Sequence, residues 1–535
     1  MTTIKEVCLG VAVAGFVAGA GSAVATAVAN ADTGEATAST GSSTSAGPVS
    51  HARSRGPAVK AAAAAQRNRA AVTKVPAAPA ASRQRGAAVA APGGPGASFA
   101  AVRGRAAVAS AVAAVAADEP VHVLLIGTDG TNLSKVLADP ANVGFFNLMD
   151  QSVTGAATLV GHTTLSGPSW STILTGAWDT KTGIVGNLFN PAPYNSWPTA
   201  FNLLEYNKPE IATSIVADWK YLNDMADAGG YPVDQNFYYS FSTSWADTDT
   251  EVVNKTINLI NTTPADASSF MFSYQAQVDE AGHSYGGGSP EYAQAVTNVS
   301  NNIQQIMDAV SARELATGED WTVIVTTDHG HQQSLGFGHG FQSPNETSSF
   351  VILDLAGDSA NDGKQNLNYS VADITPTIVS LFGVPQRSDF DGVPMDTDPA
   401  VLSSIVTPVN LKQALGDAVG MYGYPDTGTS ITLGIRTVFA AIPYFIEGFV
   451  TSITGQLQSI VDQQIFVIST LAGATELAVQ LIGDGLVGVT EAVARVVASL
   501  TGAGSIAPTD PPLPAPPVAA LPVAIGTGSG ATTLV

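Results

Sequence analysis

The chain has 535 residues, 45% hydrophobic and only 12% charged, with a formal net charge of −22. Ten of its 22 Lys and Arg lie between Arg53 and Arg105, where there is no acid, whereas from Asp118 onward 41 acids face 11 bases. The composition supports a sizeable core, and the acidic excess excludes a nucleic-acid-binding surface on that part, because it would repel a phosphate backbone.

Residues 1–31 read as a signal peptide: Lys5 precedes an apolar run from Val7, and Ala29-Asn30-Ala31 has the small-x-small form of a cleavage site. Cleavage near Ala31 would place the protein outside the cell or in the envelope. The single cysteine, Cys8, lies in this segment, so the mature chain would have no disulfide, no thiol nucleophile and no thiolate ligand. Residues 32–118 are low-complexity Ala, Ser, Gly, Pro and Arg. They bury too little specific apolar surface to offset their ordering entropy and are expected to form a disordered basic linker.

Residues 119–402 form the expected catalytic domain. Val121–Gly127 is a short apolar run of the kind found in a buried parallel strand, and similar runs recur at Ser269–Tyr274, Trp321–Thr326 and Ser349–Leu353. Between them Glu291–Leu315 spaces Ala, Val, Ile and Met three and four apart, as on a helix. The fold class is therefore α/β, a mostly parallel central sheet flanked by helices. Residues 403–506 are apolar and helix-like and read as a smaller helical region. No stretch there is 18 apolar residues long without interruption, so an interfacial module in contact with the envelope or membrane surface is favoured over a membrane span. Residues 507–535 read as a Pro-rich disordered tail.

Chemistry-bearing residues gather at the strand ends. Four of the seven histidines fall between 283 and 339: His283 four residues after Asp279, His329 and His331 in Asp328-His329-Gly330-His331, and His339 in Gly338-His339-Gly340. With Asp129 after the first strand, these supply carboxylate oxygen and imidazole nitrogen, donors that suit zinc and similar divalent ions. Ser166 begins Ser166-Gly167-Pro168, and Pro168 fits the first turn of a helix. Ser166 would then be either an ordinary helix cap or a nucleophile exposed to the positive end of the helix.

Taken in order, Gly127-Thr128-Asp129-Gly130, Ser166-Gly167-Pro168 leading to Leu174-Thr175-Gly176, Gly183-Ile184-Val185-Gly186-Asn187, Asp279-x-x-x-His283, Asp328-His329-Gly330 and Gly338-His339-Gly340 resemble the alkaline phosphatase superfamily, in its type I phosphodiesterase/nucleotide pyrophosphatase branch. The resemblance spans roughly residues 120–400, its late part being Asp373–Ile378 and Asp391-Gly392-Val393-Pro394. It implies an exported, metal-dependent hydrolase of small-molecule phosphate esters, working through a phosphoserine intermediate. Two divalent ions are implied, zinc with manganese as the alternative. One would be held by Asp279, His283 and His339, the other by Asp129, Asp328 and His329 with Ser166 as ligand and nucleophile. Asn187 would grip the phosphoryl oxygens, helped by the backbone amide after Ser166. His339 follows His329 by only ten residues, where many relatives place this histidine much later. His331 is its competitor and otherwise the histidine least expected to touch a metal.

The segment departs from the phosphodiesterase pattern in having Ser rather than Thr at position 166 and Gly167 where an aromatic residue is common. Trp170 stands where a sulfatase modification motif would continue with Arg, so formylglycine is not expected. There is no arginine between Arg105 and Arg313, which favours phosphodiesters or nucleotide-like substrates over dianionic monoesters. Trp170, Trp178, Phe189, Tyr194 and Trp197 are candidates for the leaving-group pocket. The competing class is an envelope-associated interaction protein that uses this domain as a catalytically weak scaffold.

Overall fold

The structure is a computed structural model that describes residues 120–336, 338–462 and 466–516. The expected signal peptide, the basic linker and the end of the tail lie outside the described residues. Nine strands are present: β1 (His122–Thr128), β2 (Val153–Thr158), β3 (Ala212–Ala217), β4 (Gln235–Tyr238), β5 (Ser269–Gln275), β6 (Trp321–Thr326), β7 (Ser348–Asp354), β8 (Lys364–Asn366) and β9 (Ile405–Val406). They form one sheet in the order β4-β3-β5-β1-β6-β7-β2-β8-β9. The four strands expected from apolar runs are adjacent in it, as β5-β1-β6-β7.

The left half of the sheet is parallel: β1 pairs in parallel with β5 and β6, and β3 with β4 and β5. β7 runs antiparallel to both β6 and β2, and β9 antiparallel to β8. β1 shows why an unbroken apolar run becomes the central strand. Val123 and Leu125 enter the hydrophobic layer on one face, Leu124 and Ile126 the layer on the other, and all four are fully buried. Full burial of such a side chain is worth about 1.5–3 kcal/mol, and only a strand sandwiched between two helix layers gains it on both faces.

Six helices bear on the site: α1 (Ser166–Thr175), α2 (Asp179–Thr182), α3 (Gln277–Tyr285), α4 (Pro290–Thr317), α5 (Thr427–Val461) and α6 (Phe466–Leu500). The sheet takes its last strand from beyond the expected domain edge at 402, and α5 is tied to the catalytic layer. Leu433, Arg436, Thr437 and Ala440 are buried, spaced three and four apart on one face of α5. By length and composition alone, Thr427–Ser459 and Ala472–Leu500 are each long and apolar enough to cross a membrane. Ser, Thr, Gln and Gly interrupt the apolar residues of both helices, and few of the interruptions are charges. The start of the Pro-rich tail is docked rather than free. The Asp510 carboxylate accepts from the Ser388 amide and hydroxyl at 2.7 Å each, and the amides of Thr509 and Asp510 donate to Asp389.

Candidate metal centre and nucleophile

Every ligand candidate except His339, which lies in the loop between β6 and β7, sits just past a strand or on the helix that follows one. Asp129 follows β1, Asp328 and His329 follow β6, and α3, carrying Asp279 and His283, follows β5. Since β5, β1 and β6 are neighbours and parallel, their carboxyl ends fall side by side, where α/β folds gather ligands. Asp279 and His283 stand four residues apart on α3 and so share a face; the His283 Nε2 is 3.2 Å from the Asp279 Oδ2. Gly130 has φ of +62°, and a Cβ there would lie 2.5 Å from the Asp279 Oδ1. Only glycine allows this turn to bring Asp129 against Asp279.

Four ligand candidates are each anchored by one polar atom and offer another. For Asp129, Oδ2 accepts from Trp170 Nε1 at 2.8 Å and from the Tyr274 hydroxyl, while its buried Oδ1 has no partner. For Asp328, Oδ1 accepts from the Gly130 amide at 3.2 Å and the buried Oδ2 has no partner. His329 Nδ1 faces the Gly330 carbonyl at 3.1 Å and His339 Nδ1 the Thr164 carbonyl at 2.7 Å. A carbonyl can only accept, so both Nδ1 atoms carry the proton and both Nε2 atoms present a lone pair. The His329 Nε2 is 3.2 Å from Asp328 Oδ2 and 3.7 Å from Asp129 Oδ1. The His339 Nε2 is 3.1 Å from His283 Nε2.

The donor atoms of Asp279, His283, His331 and His339 lie within 4.8 Å of one another, as do those of Asp129, Asp279 and His329. Two features differ from the sequence expectation. Asp279 stands between the two sets rather than in one. His331, named as the competitor of His339, is fully buried with its Nε2 2.6 Å from the Asp279 Oδ1. The glycines make this possible: a Cβ on Gly282 would lie 2.5 Å from the His331 ring, and one on Gly338 2.6 Å from its Cε1.

The electrostatics agree with a cation-binding cradle. Burial, followed by the charge of Asp279, pushes Asp129 up to about 8, against the hydrogen bonds from Tyr274 and Trp170. Burial and the neighbouring Asp129 and Asp279 raise Asp328 well above the usual carboxylate range. Burial holds His329 down at about 3, and burial together with His329 lowers His339. Burial also opposes a charge on Asp279 and on His283, but their attraction wins, leaving Asp279 well below its ordinary value and His283 at about 9. Three carboxylates in so small a buried volume repel one another, and divalent cations would relieve that repulsion.

Ser166 is the first residue of α1, with Leu165 at the cap position, and its hydroxyl donates to the His329 Nε2 at 3.1 Å, beside the ligand candidates. Asn187 is brought to the same place: its Oδ1 accepts from the Gly167 amide at 2.8 Å. That bond corrects one expectation, since the Gly167 N–H is already engaged and the Asn187 side-chain NH₂ is the donor left for a ligand. It also accounts for Gly167, where a Cβ would collide with the Gly186 carbonyl oxygen. Trp170, Tyr194 and Trp197 are core residues rather than pocket lining, all buried, with the Tyr194 hydroxyl 2.8 Å from the Ser171 hydroxyl. Trp178 stacks on His162 with ring centroids 3.6 Å apart.

Residues 123–341 match the family described as type I phosphodiesterase / nucleotide pyrophosphatase. That segment is a type I phosphodiesterase-like domain. Similar solved structures include a 2-O GAG sulfatase (12% identical, TM-score 0.42, covering 54% of this chain and 75% of that one). Another is Ps i-CgsB in complex with k-i-k-neocarrahexaose (14% identical, TM-score 0.41, covering 54% and 77%). A comparison with curated proteins finds no match. The family that this segment matches is one of metal-dependent phosphoester hydrolases. The buried Asp/His cluster of the domain could hold such a metal.

Proposed function

We propose that the protein is an exported, metal-dependent phosphodiesterase that uses Ser166 as nucleophile. The observation that carries this reading is the pair of unpartnered buried oxygens, Asp129 Oδ1 and Asp328 Oδ2, converging on the His329 Nε2 that also meets Ser166 Oγ. A polar group buried without a partner costs free energy, and a cation there would satisfy both oxygens. Asp129, Asp328, His329 and Ser166 would hold one divalent ion, and Asp279, His283 and His339, with His331 beside them, a second. When bound, the ions supply positive charge that favours the serine alkoxide and offsets charge on the phosphoryl oxygens.

The chain's own residues do the rest. Ser166 gives its hydroxyl proton to solvent and its Oγ forms the bond to phosphorus while the bond to the leaving oxygen breaks, and the departing alkoxide takes up a proton from water. The Asn187 NH₂ donates to a non-bridging oxygen, a contact that strengthens as charge builds there. Water then cleaves the phosphoserine and restores the hydroxyl. Trp170 and Tyr274 keep Asp129 oriented throughout. The preference for diesters rests on the absence, among the described residues, of an arginine free to grip a second negative charge. Arg436 is bound to Asp179 and Thr501, and Lys181 to Asp391 at 2.8 Å.

Purified protein assayed for metal content and for hydrolysis of bis(p-nitrophenyl) phosphate, p-nitrophenyl phosphate and p-nitrophenyl sulfate tests the reading. The expected result is two divalent ions per chain, the diester cleaved most efficiently, and a loss of roughly 10³-fold or more in Ser166→Ala with metal retained. Equal or greater efficiency on the monoester removes the diester preference. Protein that binds no metal and cleaves nothing is the interaction scaffold instead.

A further inference from the structure

α5 and α6 pack as an antiparallel hairpin. Along its length Arg436 bonds to Thr501, Val450 meets Gly483 and Val461 meets Gly473. A Cβ on Gly483 would collide with a Val450 methyl, so the two helices touch at a residue without a side chain. Among the described residues of α6, the buried ones are Ala472, Gly483, Ala494 and Ala498. Its buried face is thus built of small residues, and its large aliphatic side chains are left outside. A helix that ended its packing with α5 would show the reverse.

The outer face has a regular order. Ile482, Leu486, Val489, Val493, Val496 and Leu500 follow one another at steps of four, three, four, three and four. Each is between 45% and 83% exposed. Alternating steps of four and three are the spacing of an apolar seam that another helix covers. The seam is flanked by Gly483, Thr490 and Val497 on one side and by Gly485, Ala492 and Ser499 on the other. The charged residues of this stretch, Asp484, Glu491 and Arg495, stand off the seam and its flanks, and Glu491 and Arg495 pair with each other.

We propose that the protein self-associates through this seam, α6 of one copy against α6 of a second. Helices of unlike sequence select each other by charges beside the seam, and these flanks carry none. A second α6 brings a seam of the same length, sets no like charges opposite each other, and closes about a two-fold axis. A bilayer span fits less well. It needs about 20 apolar residues, and every twenty-residue length of α6 contains at least two charged ones, which are costly in hydrocarbon. Thr437 and Arg436 fasten the hairpin to Gly340 and Asp179, so the seam joins two whole catalytic domains. The inference goes beyond the hydrolase reading and does not rest on it.

Sedimentation velocity of the purified full chain at micromolar concentration, without detergent, tests it. The wild type should sediment as at least a dimer of the 54.4 kDa chain. The double variant Val489→Glu/Val493→Glu sets like charges against each other and should weaken association by about 100-fold or more. Both positions are exposed, so its circular dichroism should match that of the wild type. Mixing it with Val489→Lys/Val493→Lys should restore the assembly, as only a seam between copies can. Leu477→Glu, at an exposed position off the seam, should change nothing. A wild type that stays monomeric overturns the proposal. So does an assembly that the Glu pair leaves intact, or one that the mixture fails to restore. A monomeric wild type that floats with phosphatidylcholine vesicles, and loses this in the Glu pair, makes lipid the occupant instead.

Discussion

The Nε2 of His331 lies 2.6 Å from the Oδ1 of Asp279, which places the last histidine of Asp-His-Gly-His inside the ligand cluster. With His331 added, Asp279 meets three imidazoles, His283, His331 and His339, rather than two. Replacing His339 by Ala should remove one of two bound ions. His331→Ala should weaken the same ion by about 10- to 100-fold without emptying the other position. Metal titration of the apo-protein by calorimetry distinguishes them; an unchanged affinity in His331→Ala would show that His331 only packs.

Tyr274→Phe keeps the ring and removes the hydroxyl that donates to Asp129. The expected cost is about tenfold or more in metal affinity, with little change in melting temperature. A large fall in melting temperature with normal metal affinity would make Tyr274 a core residue and nothing more.

Gly167→Ala should displace the loop carrying Asn187, because the added Cβ meets the Gly186 carbonyl. Backbone cannot rotate away as a side chain can, so a loss of about 1–3 kcal/mol in stability is expected, with a larger proportional fall in kcat than in KM. Denaturant unfolding and diesterase kinetics on one preparation check both halves.

Arg436 and Asp179 form a buried pair, their side chains 4% and 3% exposed. Arg436→Met should destabilise the protein by about 3–5 kcal/mol, because it strands a buried carboxylate. The double variant with Asp179→Asn should recover much of that loss, as measured by urea midpoints. Recovery separates charge burial from simple loss of packing.

Glu319 is held at about 2 by its hydrogen bonds with Arg313, against an ordinary value of 4.5. A carboxylate with a depressed folded value adds stability that is complete above about 4.5 and is lost as pH falls towards 2. Glu319→Gln should therefore flatten part of the stability loss between those limits. Unfolding midpoints of the two proteins that diverge equally at pH 6 and pH 3 would contradict this assignment.

Much of the centre was legible in the chain because its determinants are local. An apolar run ending in Asp-Gly or Asp-His-Gly states both a buried strand and the residue at its carboxyl end, and Pro168 marks the helix that Ser166 begins. The place of His331 beside Asp279 was not legible, because it depends on Gly282 and Gly338, which leave room for its ring from two separate segments. The pocket role given to Trp170 failed for a related reason. Its indole lies in the core, and only the fold brings its N–H to Asp129, 41 residues away.

The sequence by itself determined the α/β class, the central strands and a set of oxygen and nitrogen ligands at their ends, since alternation, turn chemistry and residue type act over a few residues. Tertiary structure alone decided which candidate ligands lie together and that α5, about a hundred residues beyond His339, packs against their loops. Contacts such as Thr437 with Gly340 and Ala440 with Gly186 come from packing one surface on another, and no local pattern encodes which surfaces will meet.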